Sequence, residues 1–332
     1  MTAGTLVSIA ETWYVGYLGT MSLAGIALVF PCIMLQQMLS AGSMGGGISS
    51  AVSRALGAND LGKANALVLH AALICLGMGL FFTFVFIVWG EPIFRLLGGQ
   101  GEALAQSLAY ANVAFWGAAS IWLTNGFASV IRGSGNMKTP SLVLLIACVA
   151  QVTLSGVLGL GWGPIPSFGM AGIAMGYVIA FSASTLYLFA YLRSSRSMLR
   201  LSFKSPLSKP LFMDILKVGA MSSLSTLQTV ATILILTRLI SSFGPEALAG
   251  YGIGTRLEFL LVPMTFAFGV ACVPMVGMAL GAQLFERAKK VAWAGSLMSA
   301  ALIGGIGLLV TVWPGVWSEM FTSNTTVLFH AH

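Results

Sequence analysis

The sequence predicts an all-α polytopic membrane protein built on a duplicated helical unit, and three observations predict it. Hydrophobic residues make up 57% of the chain and charged residues only 8%, against about 25% charged in soluble domains, and the mean hydropathy is +0.92. Long apolar runs, each near the ~20 residues that a helix needs to cross a bilayer, alternate with short charged gaps. A turn is also repeated: Ala55-Leu56-Gly57-Ala58 returns as Ala279-Leu280-Gly281-Ala282 at an offset of 224, and Ala64 returns as Ala288. Its flanks keep nearly the same spacing, with Leu18 to Gly25 opposite Phe243 to Gly250 at offset 225 and Trp89 to Glu91 resembling Trp317 to Glu319 at offset 228. A shared spacing of this kind indicates an internal duplication.

Nine crossings are expected. The first runs from Thr2 to Leu18 and carries Glu11. The second, Leu23 to Ser53, contains Pro31, whose missing N–H favours a kink, and Gly42-x-x-x-Gly46, a spacing that permits close helix approach. Ala64 to Trp89, Ala103 to Ile131 and Pro140 to Leu160 follow, then Met170 to Leu192 with a second close-packing pair at Gly172 and Gly176. The last three are Leu216 to Ser241, Ala247 to Leu280 with Pro263 and Pro274 inside, and Ala292 to Trp313.

The charges orient this series, because cytoplasmic loops carry the excess of Lys and Arg. With the N-terminus cytoplasmic, the inner loops hold thirteen of the sixteen basic residues: Arg54, Lys63, Arg132, Lys138, Arg193, Arg196, Arg200, Lys204, Lys209, Lys217, Arg287, Lys289 and Lys290. Arg95 falls outside, and Arg238 and Arg256 lie in or near the membrane. The net charge of +7 therefore reports topology in a cytoplasmic (inner) membrane rather than a nucleic-acid partner. Six crossings per period is an even number, so the two halves enter the membrane from the same side. The expected organisation is a six-helix lobe over 1–192, a basic cytoplasmic linker over 193–215 and a partial second lobe over 216–332. A complete second lobe needs three further crossings, so the chain is expected to be a fragment of a twelve-helix, two-lobe protein, clipped at both ends.

Few residues carry chemistry. Glu11 is an ionisable group within a crossing, where a carboxylate costs at least ~2.5 kcal/mol to insert and is by default a functional candidate; the bland alternative is a solvated interfacial anchor. Glu258 sits well inside the eighth crossing, and an ion pair with Arg238 or Arg256 is the alternative to function. Gln36, Gln37, Asn112, Asn125, Gln151 and Gln228 are neutral polar groups at membrane depth, able to bind a substrate or to join helices. Cys32, Cys75, Cys148 and Cys272 all lie in apolar runs without metal or disulfide spacing. No metalloprotease, nucleophile-elbow or phosphate-loop signature is present, so an enzyme is not expected, nor is a catalytic cofactor or a metal site. The N-terminus does not read as a cleaved signal peptide.

Several stretches together resemble the MATE (multidrug and toxic compound extrusion) transporters. They are Glu11-Thr12-x-x-x-Gly16-x-x-Gly19, Ala55 to Ala64, Arg132-Gly-Ser-Gly-Asn-Met-Lys-Thr-Pro140, Phe243 to Gly250, Thr255-Arg-Leu-Glu258 and Gly281 to Ala288. The resemblance implies twelve helices in two lobes that alternate access, exporting cationic or amphipathic compounds in exchange for protons or sodium. By position it makes Glu11 the first-helix coupling acid. The Asn and Asp of the fifth helix in many members are here Gln151 and Ser155, and the seventh-helix acid of one branch falls near Gln228 and Thr229. The expected site is thus Glu11, Glu258 and Gln151 for ion coupling, with Gln36, Asn125, Gln228 and Thr229 in the substrate cavity. The expected partners are a small amphipathic or cationic molecule and the bilayer, with no nucleic acid and the protein a monomer. Two alternatives stand beside it: a lipid-linked saccharide flippase of the same superfamily, which would use Arg238 and Arg256 against a pyrophosphate, and a non-transporting remnant.

Overall fold

In a bilayer every backbone polar group must be satisfied within its own segment, and the apolar runs answer by winding into helices; no strand occurs among the described residues. The computed structural model describes residues 2–320 except 163, 204, 242 and 244, with the side chains of 2–6 and of scattered positions between 230 and 263 also outside the description. The elements are α1 (Thr2–Leu18), α2 (Thr20–Gln37), a π-helical turn (Met38–Met44), α3 (Gly45–Gly57), α4 (Leu61–Leu96), α5 (Gly101–Trp116) and α6 (Ala118–Gly133). They continue with α7 (Lys138–Leu160), α8 (Gly169–Arg193), α9 (Lys209–Ser241), α10 (Pro245–Gly281), α11 (Phe285–Val312) and the short α12 (Gly315–Ser318). Among the described residues six helical runs are long and apolar enough by themselves to cross a membrane, Thr20–Gly57, Leu61–Leu96, Lys138–Leu160, Gly169–Arg193, Met264–Gly281 and Phe285–Val312. The three other expected crossings fall on α1, on α5 with α6, and on α9.

Two of these segments are interrupted where continuous helix was expected. The fourth breaks at Gly117, a position where a Cβ would overlap the side chain of Val178 on α8. The second runs unbroken through Pro31 and then widens into seven residues of π winding, a feature often found at functional sites. The glycine pairs divide as well. Gly172 and Gly176 sit directly on the α7 backbone at Leu158 and Ser155, whereas a Cβ at Gly42 would make only ordinary contact with Phe266, at 3.4 Å, and one at Gly46 would meet open space. The Gly42–Gly46 pair is therefore not a close-packing seam.

The repeated turn is repeated in conformation. Asn59 and Gln283, 224 residues apart, share the left-handed backbone at φ 56° and 60°. The flanking bonds match one for one: Ala58 N–H to Arg54 O at 3.0 Å against Ala282 to Met278 at 3.0 Å, and Asp60 to Ala55 at 3.0 Å against Leu284 to Ala279 at 2.8 Å. The two copies also pack on each other reciprocally. Gly57 rests on the carbonyl of Met278, Gly281 rests on the carbonyl of Arg54, and Ser53 meets its own counterpart Gly277. Since 54 and 278 are themselves equivalent positions, α3 and α10 meet about a local twofold axis, with glycine at each point where a Cβ would strike backbone.

The start of α9 is tied to the same corner. Asp214 accepts from Arg54 Nη2 and pairs with Lys63 Nζ, at 2.7 and 2.8 Å, while Arg54 also bonds Ser50. Burial alone would raise the Asp214 carboxyl, but the hydrogen bonds and positive charges of Lys63 and Arg54 outweigh it and hold the pKa below the usual carboxylate range. A carboxyl depressed on folding stabilises fully above the unfolded value of about 3.9 and loses that contribution as pH falls through the folded one. We therefore expect the melting temperature of the purified protein to fall below about pH 4, and Asp214→Asn to lower it at pH 7 while flattening that acid limb. Parallel melting curves for the two proteins from pH 3 to 7 would refute this role.

Candidate functional site

The close packing of α8 on α7 sets the site. With Gly176 against the backbone of Ser155, and Ser155 Oγ bonded to the carbonyl of Ile173 on α8 at 2.9 Å, the face of α7 that carries Gln151 and Ser155 is held towards α1. Gly156, on the same helix, receives the ring of Tyr14, which packs edge-on against Trp162 with centroids 5.9 Å apart. These contacts lock α1 in rotation and place Glu11 between the two polar side chains of α7. Gln151 Nε2 donates to Glu11 Oε1 at 2.8 Å, and Ser155 Oγ lies 3.2 Å from the same oxygen. Glu11 is half-buried, Gln151 is 7% exposed and Ser155 fully buried.

One detail decides what this cluster can do. A serine hydroxyl carries a single proton, so Ser155 cannot donate to Ile173 O and to Glu11 at once. When Glu11 is ionised it competes for that proton; when it is protonated its own O–H can donate to Ser155 Oγ, and the bond to Ile173 is kept. Gln151 donates in both cases. The cluster therefore has two self-consistent hydrogen-bond arrangements that differ by one proton.

Deeper in the bundle, beside the π turn, lies a second polar group. Asn125 Nδ2 donates to Gln37 Oε1 at 3.1 Å and to Ser40 Oγ at 2.8 Å, and Gln37 Nε2 donates to Tyr177 Oη at 2.9 Å. Gln36 is fully buried, and neither of its amide atoms has a partner among the described residues. Gln228 and Thr229 are not part of this group: both are exposed on α9, and Thr229 Oγ1 donates to Ser225 O at 3.0 Å within its own helix. The polar link from α9 to the π turn is instead Thr226 to Ser43, at 2.9 Å. Glu258 is exposed on α10, and the side chains of Arg238 and Arg256 lie outside the described residues. Sequence reasoning passed over Tyr177, Ser40 and Asp214, whose partners stand far away along the chain and leave no local signal.

The opposite face of α1 is open. Ser8, Ile9, Thr12, Trp13, Gly16, Tyr17 and Leu23 line a groove of about 690 Å³, with the Trp13 and Tyr17 rings edge to face at 4.7 Å. One helix thus bears the carboxylate on one side and an aromatic groove on the other.

Comparison with known proteins gives this arrangement a context. Residues 1–157 and 222–332 match the MatE family model. The "probable multidrug resistance protein YoeA" of Bacillus subtilis is 24% identical over 322 residues, covering 95% of this chain and 69% of that protein. The "FAD transporter" of Shewanella oneidensis is 25% identical over 295 residues, covering 85% of this chain and 63% of that one. A solved MOP superfamily transporter from Pyrococcus furiosus superposes with a TM-score of 0.87 at 23% identity, over all of this chain and 73% of that one. The chain spans about two thirds of the length of these curated relatives.

Proposed function

Because this chain belongs to the MatE family of transporters, with most of its length matched, we propose that it is a secondary transporter that exports drugs or other toxic amphipathic cations across the cytoplasmic membrane, driven by inward movement of protons or sodium. The observation that carries the reading is Glu11 held by Gln151 and Ser155 in an arrangement with two states one proton apart. A coupling ion works only if it binds two conformations with different affinity, and a carboxylate whose hydrogen-bond network rearranges on protonation supplies that difference. The aromatic groove on the other side of α1 suits an organic cation, which the faces of Trp and Tyr attract.

In this reading 1–192 and 216–332 form the two lobes, 193–215 the linker, and α3 packed on α10 closes the cytoplasmic side. Coupling is assigned to Glu11 with Gln151 and Ser155, and the Gln37, Asn125 and Tyr177 group fixes the π turn behind the cavity. Gln36, buried with both amide atoms unpartnered among the described residues, and Gln228 and Thr229, exposed on α9, remain the candidates for contact with substrate. The test is export of a fluorescent organic cation from cells expressing this gene, with the proton and sodium gradients collapsed separately by ionophores. Export should stop when one of the two gradients is removed. Export that survives the loss of both gradients would rule out a secondary antiporter.

A further inference from the structure

After α8 the chain does not run free. Leu201 N–H bonds back to Leu192 O at 3.0 Å, Arg200 N–H bonds to Asn65 Oδ1 on α4 at 2.7 Å, and Leu199 is buried to 1% exposure. Further on, Ser208 N–H donates to His70 Nε2 at 3.0 Å, and the His70 ring stands edge-on to Phe212 at 4.5 Å. This hook brings two arginines to one place on the surface. Arg193, the last residue of α8, lies over the rings of Phe189 and Phe203 at 5.8 and 6.0 Å, and it shares with Arg200, Leu201, Ser202 and Phe203 the lining of a pocket of about 360 Å³. Neither arginine makes an ion pair among the described residues. Along the same segment, Met198, Phe203 and Leu207 expose 61–64% of their surface, as suits a segment resting in a membrane interface.

We propose that this pocket binds the phosphate of an anionic phospholipid from the leaflet adjoining the linker, with Met198, Phe203 and Leu207 set among the acyl chains. Two exposed cations without counter-charges in one concavity offer an anion a site. Stacking against two rings leaves Arg193 little rotamer freedom to lose, so its planar fork is prepared for two-point contact with phosphate oxygens. Basic pockets at the cytoplasmic ends of membrane helices take anionic headgroups in this way, and the apolar rim favours a lipid over a free ion.

Native mass spectrometry of the full chain, delipidated in detergent and titrated with phosphatidylglycerol or phosphatidylcholine, tests the proposal. Wild type should retain phosphatidylglycerol at least tenfold better than phosphatidylcholine. The pair Arg193→Ala and Arg200→Ala should remove that preference, while Arg196→Ala, an exposed neighbour outside the pocket, should keep it. Phe203→Ala, on an exposed ring that the fold does not need, should weaken it if the double variant proves unstable. Equal loss with Arg196→Ala, or no loss with the double variant and with Phe203→Ala, would overturn the site in favour of diffuse charge attraction. Displacement of the lipid by millimolar inorganic phosphate would overturn the lipid assignment in favour of a free-anion site.

Discussion

Replacing Glu11 by Gln is expected to abolish ion-coupled export while leaving the fold in place. The amide is nearly isosteric and keeps an oxygen for the Gln151 donor at 2.8 Å, and that uncharged oxygen competes for the Ser155 proton far less well than a carboxylate does. Ser155 then keeps its bond to Ile173 O at 2.9 Å. The variant is thus fixed in the neutral arrangement, and a site that cannot titrate gives the coupling ion no difference in affinity between conformations. Coupling free energies between sites are typically 1–3 kcal/mol, so accumulation against a gradient should drop by about 5- to 150-fold. Two further variants separate coupling from packing. Glu11→Asp keeps the charge but shortens the reach towards α7, and should retain partial, still gradient-dependent export. Ser155→Ala removes the hydroxyl that switches partners and should change the pH dependence of export more than its maximal rate. Uphill export by Glu11→Gln at the wild-type level would show that the carboxylate is an anchor, and the coupling role would pass to Glu258.

How much of this was legible beforehand depends on the range of the interaction. Apolar runs between basic turns located most helix ends to within about four residues, because burial in lipid and the cost of placing Lys or Arg there act on each segment alone; α4 runs on past Trp89 to Leu96, and α9 and α11 begin earlier than expected, at Lys209 and Phe285. Glu11 stood out for the same reason: one carboxylate in an apolar run needs no partner to be conspicuous. What the runs could not show was rotation and lateral pairing. Gln151 and Ser155 were visible only as substitutions for a family pattern, and nothing local said that the Gly176 contact on Ser155 would turn them towards α1. Gln37 and Asn125 were visible as polar residues, but Gln37 meets Tyr177 across 140 residues of chain and Asn125 meets Gln37 across 88. The break at Gly117 was hidden because Gly is common throughout these helices, and the side chain it packs against, Val178, is on another helix. The repeated turn was legible as a repeat, yet only the structure shows that the copies touch each other.

That contact makes the second large prediction. Gly281→Ala places a Cβ onto the carbonyl of Arg54, and Gly57→Ala places one onto the carbonyl of Met278. Backbone cannot yield as a flexible side chain can, so each substitution should force α3 and α10 apart at a cost of roughly 1–3 kcal/mol. If the two helices form the cytoplasmic seal, that energy enters the conformational equilibrium directly and shifts it by about 5- to 150-fold towards the separated arrangement. Spin labels on cysteines at Ala58 and Ala282, both exposed at the tips of the turns, with Cys148 and Cys272 replaced by Ser, would report it by pulsed distance measurement. Wild type should show mainly the short distance, and either alanine variant a new, longer population. Because the two contacts are related by the local twofold, they are strained by the same separation. Once the first Cβ has moved the helices, the second finds room, so the double variant should cost clearly less than the sum of the two single ones. An unchanged distance distribution in both single variants would mean that the α3–α10 contact is a static joint, and the moving parts of the transporter would have to be sought elsewhere.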